Sequence, residues 1–165
     1  MEIRLQTNNK FEIFKAVLLV IATFIFQMLI VPIIEIDIWR PDLILIAILL
    51  IAGRFGVITG TLIGFGIGIF QDALSASPIG ISSMANCIVG FLAGNFKNYK
   101  FGTNIKVLVT ILLMLIHGMI FYAIYQFKTD TTYMYLILTR VFPNTIYTFI
   151  LWLVISLLYK PFSEE

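Results

Sequence analysis

RPDLILIAILLIAGRFGVITGTLIGFGIGIFQDALSASPIGISSMANCIVGFLAG, residues 40–94, decides how this chain is read. Pro41 and Asp42 open an apolar run that breaks at Arg54-Phe55-Gly56, resumes, and ends at Asp72. Glycine recurs at every fourth position through Gly56, Gly60, Gly64 and Gly68, which places a flat strip along one side of a helix. A strip of that kind lets another helix approach to backbone contact. A Ser-Ala-Ser-Pro-Ile-Gly turn follows, and a further apolar helix repeats the spacing with Gly90 and Gly94. Packing accounts for the glycines. It does not account for Asp42 and Asp72, because a carboxylate near a bilayer is costly without a partner.

The whole chain shares the apolar character of this stretch. Of 165 residues, 60% are hydrophobic and 12% charged, and the mean hydropathy is +1.00. Soluble domains carry about a quarter charged residues, so this composition belongs in lipid and excludes a soluble enzyme domain. A single cysteine, Cys87, rules out an intramolecular disulfide and a cysteine metal site, and a single histidine makes a multi-histidine site equally poor. No metal or cofactor is expected. The apolar run from Phe11 to about Ile34 exceeds the ~7–15 residues of a signal-peptide core, so it is expected to stay as an anchor.

Apolar length and turn chemistry predict an all-α integral membrane protein, a compact bundle of six transmembrane helices forming a single domain over residues 1–165. The predicted spans are about 11–34, 39–54, 56–74, 79–96, 105–127 and 133–159. The second is short and must snorkel its ends, thin the bilayer or penetrate only partly. Six spans put both termini on one side. Arg4, Lys10, Lys15, Arg54, Lys97, Lys100, Lys106 and Lys160 fall on that side, while the opposite loops hold Arg40 and Lys128 against Glu35, Asp37, Asp42, Asp72 and Asp130. The positive-inside rule then places the termini in the cytoplasm and the acid-bearing loops outside.

The polar residues divide into those with plain explanations and those without. Asp42, directly after Pro41, suits the start of a helix, where its charge complements the dipole. Asp72 ends its helix, where the dipole disfavours an anion, so it needs a cation or several donors. Arg140 lies about two turns into the last span, just before Pro143 and Asn144. We expect it to pair with Asp72 or Asp42, with snorkelling to headgroups as the alternative. Pro143 should kink its helix and free a carbonyl that Asn144 or a neighbour satisfies. His117 reads as a hydrogen-bonded structural histidine before a proton relay, and Gln27 and Asn86 as amides that hold helices together. Phe121, Tyr122, Tyr125, Phe127, Tyr133 and Tyr135 read as an interfacial belt.

Catalysis has no visible equipment. An intramembrane aspartyl protease needs Gly-x-Gly-Asp, whereas Gly66-Ile67-Gly68 is followed by Ile69. Ser75, Ser77, Ser82 and Ser83 lack the Gly-x-Ser-x-Gly setting of a serine nucleophile. No nucleophile sits with a base and an orienting group, so no enzyme is expected.

Taken in order, these motifs resemble the MreD family of rod shape-determining proteins. The carriers are Arg40-Pro41-Asp42 before an apolar helix, then Gly64-Phe65-Gly66-Ile67-Gly68-Ile69-Phe70-Gln71-Asp72, then Pro78-Ile79-Gly80, then Val89-Gly90-Phe91-Leu92-Ala93-Gly94. The family's common tyrosine is replaced by Phe91. The resemblance implies a non-enzymatic scaffold of the bacterial cell-elongation complex in the cytoplasmic membrane. It implies MreC as the nearest partner, with MreB, RodA and an elongation penicillin-binding protein in the wider complex. Membrane lipids are expected around it, and no nucleic acid. It also implies a bundle similar to the substrate-binding subunits of energy-coupling-factor transporters, and a vitamin-binding subunit of that kind is the rival reading. That rival expects small residues at spacing four on the first helix, where Ala16 and Ala22 are instead six apart. The residues expected to matter are Pro41, Asp42, Gly60, Gly64, Gly68, Asp72, Gly80, Arg140 and Asn144. The glycines would serve the bundle's own packing or the membrane helix of an MreC-like partner, and the polar residues would fix the outer helix ends.

Overall fold

The computed structural model describes residues 2–75, 79–99, 102–129 and 131–158, with side chains from Lys15 onward. Ser77 and Pro78 of the turn, Lys100, Asp130 and Lys160 fall outside the described residues, as do the side chains of Arg4 and Lys10. The chain runs through α1 (Glu2–Leu29), α2 (Val31–Ile34), α3 (Leu43–Phe55), α4 (Val57–Leu74), α5 (Ile81–Asn95), α6 (Thr103–Tyr125), α7 (Tyr133–Leu136), a π-helical turn (Ile137–Val141) and α8 (Phe142–Leu158). Among the described residues, extended pairing is limited to one isolated bridge, Ile36 with Trp39.

Among the described residues, three helical stretches are long and apolar enough to cross a membrane: Val57–Leu74, Thr103–Lys128 and Tyr133–Leu157. Lys15–Leu29 and Leu43–Phe55 are apolar but shorter. The 13 residues of α3 rise about 20 Å against a hydrocarbon core of about 30 Å. The chain ahead of α3 is not helical, because Pro41 cannot continue a hydrogen-bonded helix and Asp42 serves as the N-cap. Residues 39–42, which the sequence pattern assigns to the second span, are therefore a strap outside the helix.

Burial on every side explains the uniform hydrophobicity of α3. Ile44, Leu45, Ile46, Ala47, Ile48, Ile51 and Ala52 are all buried, so α3 is the centre about which the others gather. Leu45, Ile46 and Ala52 join Val89 and Ala93 of α5 and Leu113 and Met114 of α6 in one cluster. Ile44 and Ile48 meet Ile67 of α4 and the partly buried Val20 and Phe24 of α1 in another. The corner into α4 is made by Gly56 at φ 91°, a left-handed backbone that suits glycine, with its N–H returned to the Ala52 carbonyl at 2.8 Å. Lys97 reaches the same corner and donates to the Phe55 carbonyl at 3.5 Å.

The glycine strip is spent inside the chain. The helices α4 and α5 form the most extensive helix pair. A Cβ placed on Gly64 would lie 2.5 Å from the Asn86 carbonyl oxygen, and one on Gly60 would lie 2.6 Å from that of Gly90. One on Gly68 would collide with the Ser83 backbone. The matched residues descend on α5 as they ascend on α4, so the pair is antiparallel. Of the two sequence readings of the strip, the geometry gives internal packing. A partner helix has no access to these glycines.

Gly66 differs from its neighbours, since a Cβ there meets nothing within 4 Å. We expect Gly64→Ala to force α4 and α5 apart at a cost of about 1–3 kcal/mol. Gly66→Ala should be neutral or gain up to about 1 kcal/mol from helix propensity. Thermal unfolding of the two variants in detergent measures the difference, and equal midpoints would refute this account of the interface.

Candidate functional site

Asp72 is fully buried at the last turn of α4, and its partners come from the next helix. Oδ2 accepts from the backbone N–H of Gly80 at 2.7 Å and Ser83 at 3.3 Å, and Oδ1 from that of Ser82 at 2.9 Å. These are the first amides of α5, which no intrahelical carbonyl can reach. The carboxylate disfavoured by the dipole of its own helix thus sits at the positive end of the neighbour's. Gly80, at φ 113°, turns the chain so that its amide joins the set, a conformation costly for any side chain.

The expected ion pair with Arg140 is therefore replaced. Three donors meet the demand of Asp72 without a cation. Arg140 instead donates from Nη1 to the Ile38 carbonyl at 2.8 Å. Among the described residues no ion pair joins Arg140 to Asp72 or Asp42. Asp42 behaves as its position after Pro41 suggests, with Oδ1 accepting from the Leu45 amide at 2.8 Å as the N-cap of α3.

The strap, with the turn before it, covers residues 35–42 and carries non-helical backbone, which within a membrane protein must find partners in protein or line a cavity. Ile36 and Trp39 pair with each other, and most of its side-chain partners come from the last helical stretch. Tyr147 donates its hydroxyl to the Ile34 carbonyl at 2.6 Å, and Arg140 serves Ile38. The Arg40 amide donates to Asn144 Oδ1 at 3.0 Å, and the Asp42 amide to Thr148 Oγ1 at 2.9 Å. In return, Trp39 Nε1 donates to the Thr139 carbonyl at 3.1 Å. Pro143 has no N–H to offer that carbonyl, four residues before it, and the π-helical turn marks the disturbance. The neighbour that serves it is Trp39. On the opposite flank Gln27 accepts from the Leu43 amide at 2.8 Å and donates to the Pro41 carbonyl at 3.3 Å.

Below the strap a buried polar chain joins three helices. His117 Nε2 bonds Asn86 Oδ1 at 2.8 Å, and Asn86 Nδ2 donates to Gln71 Oε1 at 3.2 Å. Because Oδ1 can only accept, His117 carries its hydrogen on Nε2. Both residues are buried, in keeping with structural roles. The other ring nitrogen, Nδ1, faces Asp42 Oδ2 at 3.9 Å.

Strap, polar chain and last helix enclose a cavity of about 820 Å³. Asp42, His117, Gln71, Arg140, Asn144 and Thr148 contribute its polar lining. Phe121, Tyr122 and Tyr125 also line it, so half of the expected interfacial belt turns inward, whereas Tyr135 touches the cavity but stays more than half exposed. Phe127, by contrast, is 87% exposed. Pro41, Asp42, Arg140 and Asn144 are thus brought together around the cavity, while Gly60, Gly64, Gly68, Asp72 and Gly80 belong to the α4–α5 pairing. Sequence reasoning passed over Trp39, Tyr147 and Thr148. Only the adjacency of Trp39 to Arg40-Pro41-Asp42 could have flagged one of them. Among the described residues no cluster of three or more His, Cys, Asp or Glu is placed to hold a metal.

A family model described as rod shape-determining protein MreD matches residues 7–162. No curated protein matches the chain, and no solved structure does.

Replacing Asp72 with alanine should cost roughly 1–3 kcal/mol for each amide left unpaired. Asp72→Asn should cost less, because a neutral acceptor makes bonds about half as strong. The double exchange Asp72→Arg with Arg140→Asp should be no more stable than Asp72→Arg alone. Recovery of the unfolding midpoint in the double variant would restore the ion pair and overturn the capping assignment.

Proposed function

We propose that the chain, which belongs to the MreD family of rod shape-determining proteins, is a non-enzymatic membrane scaffold of the bacterial cell-elongation machinery. The match over nearly the whole chain carries this reading. It gives the chain a role in rod shape determination, and the finer assignments extend that role. The nearest partner is MreC, with MreB, RodA and an elongation penicillin-binding protein beyond it. The protein resides in the cytoplasmic membrane as one domain of six membrane-embedded segments, with both termini in the cytoplasm. Its bundle is of the kind found in substrate-binding subunits of energy-coupling-factor transporters.

Two structural features support a scaffold. First, the surface near the strap is built from backbone held at both ends by α8 and α1, so a partner meets a fixed shape rather than a loop. Second, the glycine strip lies within the bundle, which leaves the strap end and the apolar flanks as the surfaces open to a partner. Leu62, Phe65 and Phe70 of α4 are more than half exposed on one such flank. The placement of Arg54 and Lys97 at one end, with Glu35 and Arg40 on the strap that faces the cavity, supports the sidedness.

The test is co-purification of the tagged chain with MreC from membranes. We expect a stable complex that survives Thr131→Ser and Gly66→Ala. Asp72→Ala, which frees the first turn of α5, should weaken it. Well-folded protein that brings down no MreC would defeat the scaffold reading. Sidedness is checked in a Cys87→Ala background, with cysteine placed at Thr131 or at Thr103. An impermeant maleimide added to intact spheroplasts should label the first position and spare the second.

A further inference from the structure

Among the described residues, two charged groups in the cavity lack a charged partner. At the strap, Arg40 is neutralised by Glu35 in an ion pair. Arg140 uses one donor, toward Ile38, out of the five a guanidinium offers. Asp42 uses Oδ1 for its cap and leaves Oδ2 3.9 Å from His117 Nδ1. With the hydrogen of His117 on Nε2, both of those atoms are acceptors and no donor stands between them. The gap calls for an N–H or O–H from outside.

Further donors line the same cavity as Arg140. The Tyr122 hydroxyl accepts from Asn144 Nδ2 at 3.3 Å, and its own hydrogen has no acceptor among the described residues. Thr145 lines the cavity, and its hydroxyl makes no hydrogen bond among the described residues. No fully buried side-chain polar atom among them lacks a partner, so the spare groups of Arg140 and Thr145 are accessible from the cavity. Tyr122 lies within Coulombic reach of both Arg140 and Asp42, which places cation and acid around one ring. Several donors at a cation suit a group with several acceptor oxygens, a phosphate before a carboxylate. The facing acceptors suit an ammonium.

We propose that this cavity binds a zwitterionic aminoalkyl phosphate group. The phosphate meets Arg140, Tyr122 and Thr145, and the ammonium enters between Asp42 and His117. A ligand with one charge of each sign neutralises both lone groups, whereas an anion would leave Asp42 uncompensated. The volume, about 820 Å³, lies within the range of small-molecule sites and leaves room beyond a headgroup. Leu45, Met114 and Leu136 give apolar walls for an attached chain. The same chemistry is presented by a phosphatidylethanolamine headgroup and by a free aminoalkyl phosphate.

The experiment is native mass spectrometry of the purified full chain in detergent, titrated with phosphatidylethanolamine or phosphatidylglycerol. Soluble phosphorylethanolamine is then added as competitor. We expect one saturable phosphatidylethanolamine adduct, preferred about tenfold over phosphatidylglycerol, which lacks the ammonium. Thr145→Val removes a single donor and should weaken the adduct several-fold at unchanged unfolding midpoint, and Tyr122→Phe, which also gives up the bond from Asn144, should weaken it several-fold as well. Asp42→Asn should erase the preference between the two lipids. Displacement by phosphorylethanolamine identifies the headgroup alone as sufficient, so that a free solute can fill the site. Failure to displace assigns the site to the lipid. Equal, non-saturating adducts of both lipids that ignore all three variants would mean annular lipid only and overturn the proposal. The result is independent of whether MreC co-purifies.

Discussion

The carboxylate of Asp72 in the first turn of α5 is the interaction on which the rest of the bundle depends. It fixes where α5 begins, and so the register in which α5 lies against α4. That register sets Gly60 against Gly90, Gly64 against Asn86 and Gly68 against Ser83. A shift of one residue would put side chains where only hydrogen fits. The capped amides of Ser82 and Ser83 are buried, and water cannot replace the carboxylate there. A charge that is costly in lipid is thereby converted into a positional constraint.

The same requirement governs the other end of the central helix. The helix α3 is too short to span alone, and the strap ahead of it brings bare amides and carbonyls to the bundle. Side chains of the last helical stretch meet Ile34, Ile38, Arg40 and Asp42 in turn. The exchange is mutual, because Trp39 serves a carbonyl that Pro143 cannot. The arrangement ties residues about a hundred positions apart and leaves a polar cavity beneath the strap. The cavity is a consequence of bracing: side chains long enough to reach the strap hold the helices apart around it.

A bundle of this construction has its rigid part at the strap and its greasy part along the flanks. The close-packed α4–α5 pair and the encircled α3 supply stiffness without any soluble domain. On the scaffold reading proposed above, a stiff platform in the membrane would pass position from one partner to another. A zwitterion in the cavity would add the bilayer's own composition to what that platform responds to.

The sequence by itself determined the all-helical class and the cap at Asp42. Hydropathy, turn residues and the Pro-Asp pair act over a few positions and need no distant partner. It also singled out the glycine strip and stated correctly that Asp72 required a cation or several donors. Which of these Asp72 would find was decided only by the tertiary structure, because the donors are backbone amides and any sequence possesses them. The strip's occupant was likewise undecided, since α5 and a foreign helix would ask the same of Gly64. Trp39, Tyr147 and Thr148 carried no signal for the same reason. Their partners are main-chain atoms brought near by the fold, and a main-chain atom leaves no mark in the residue code.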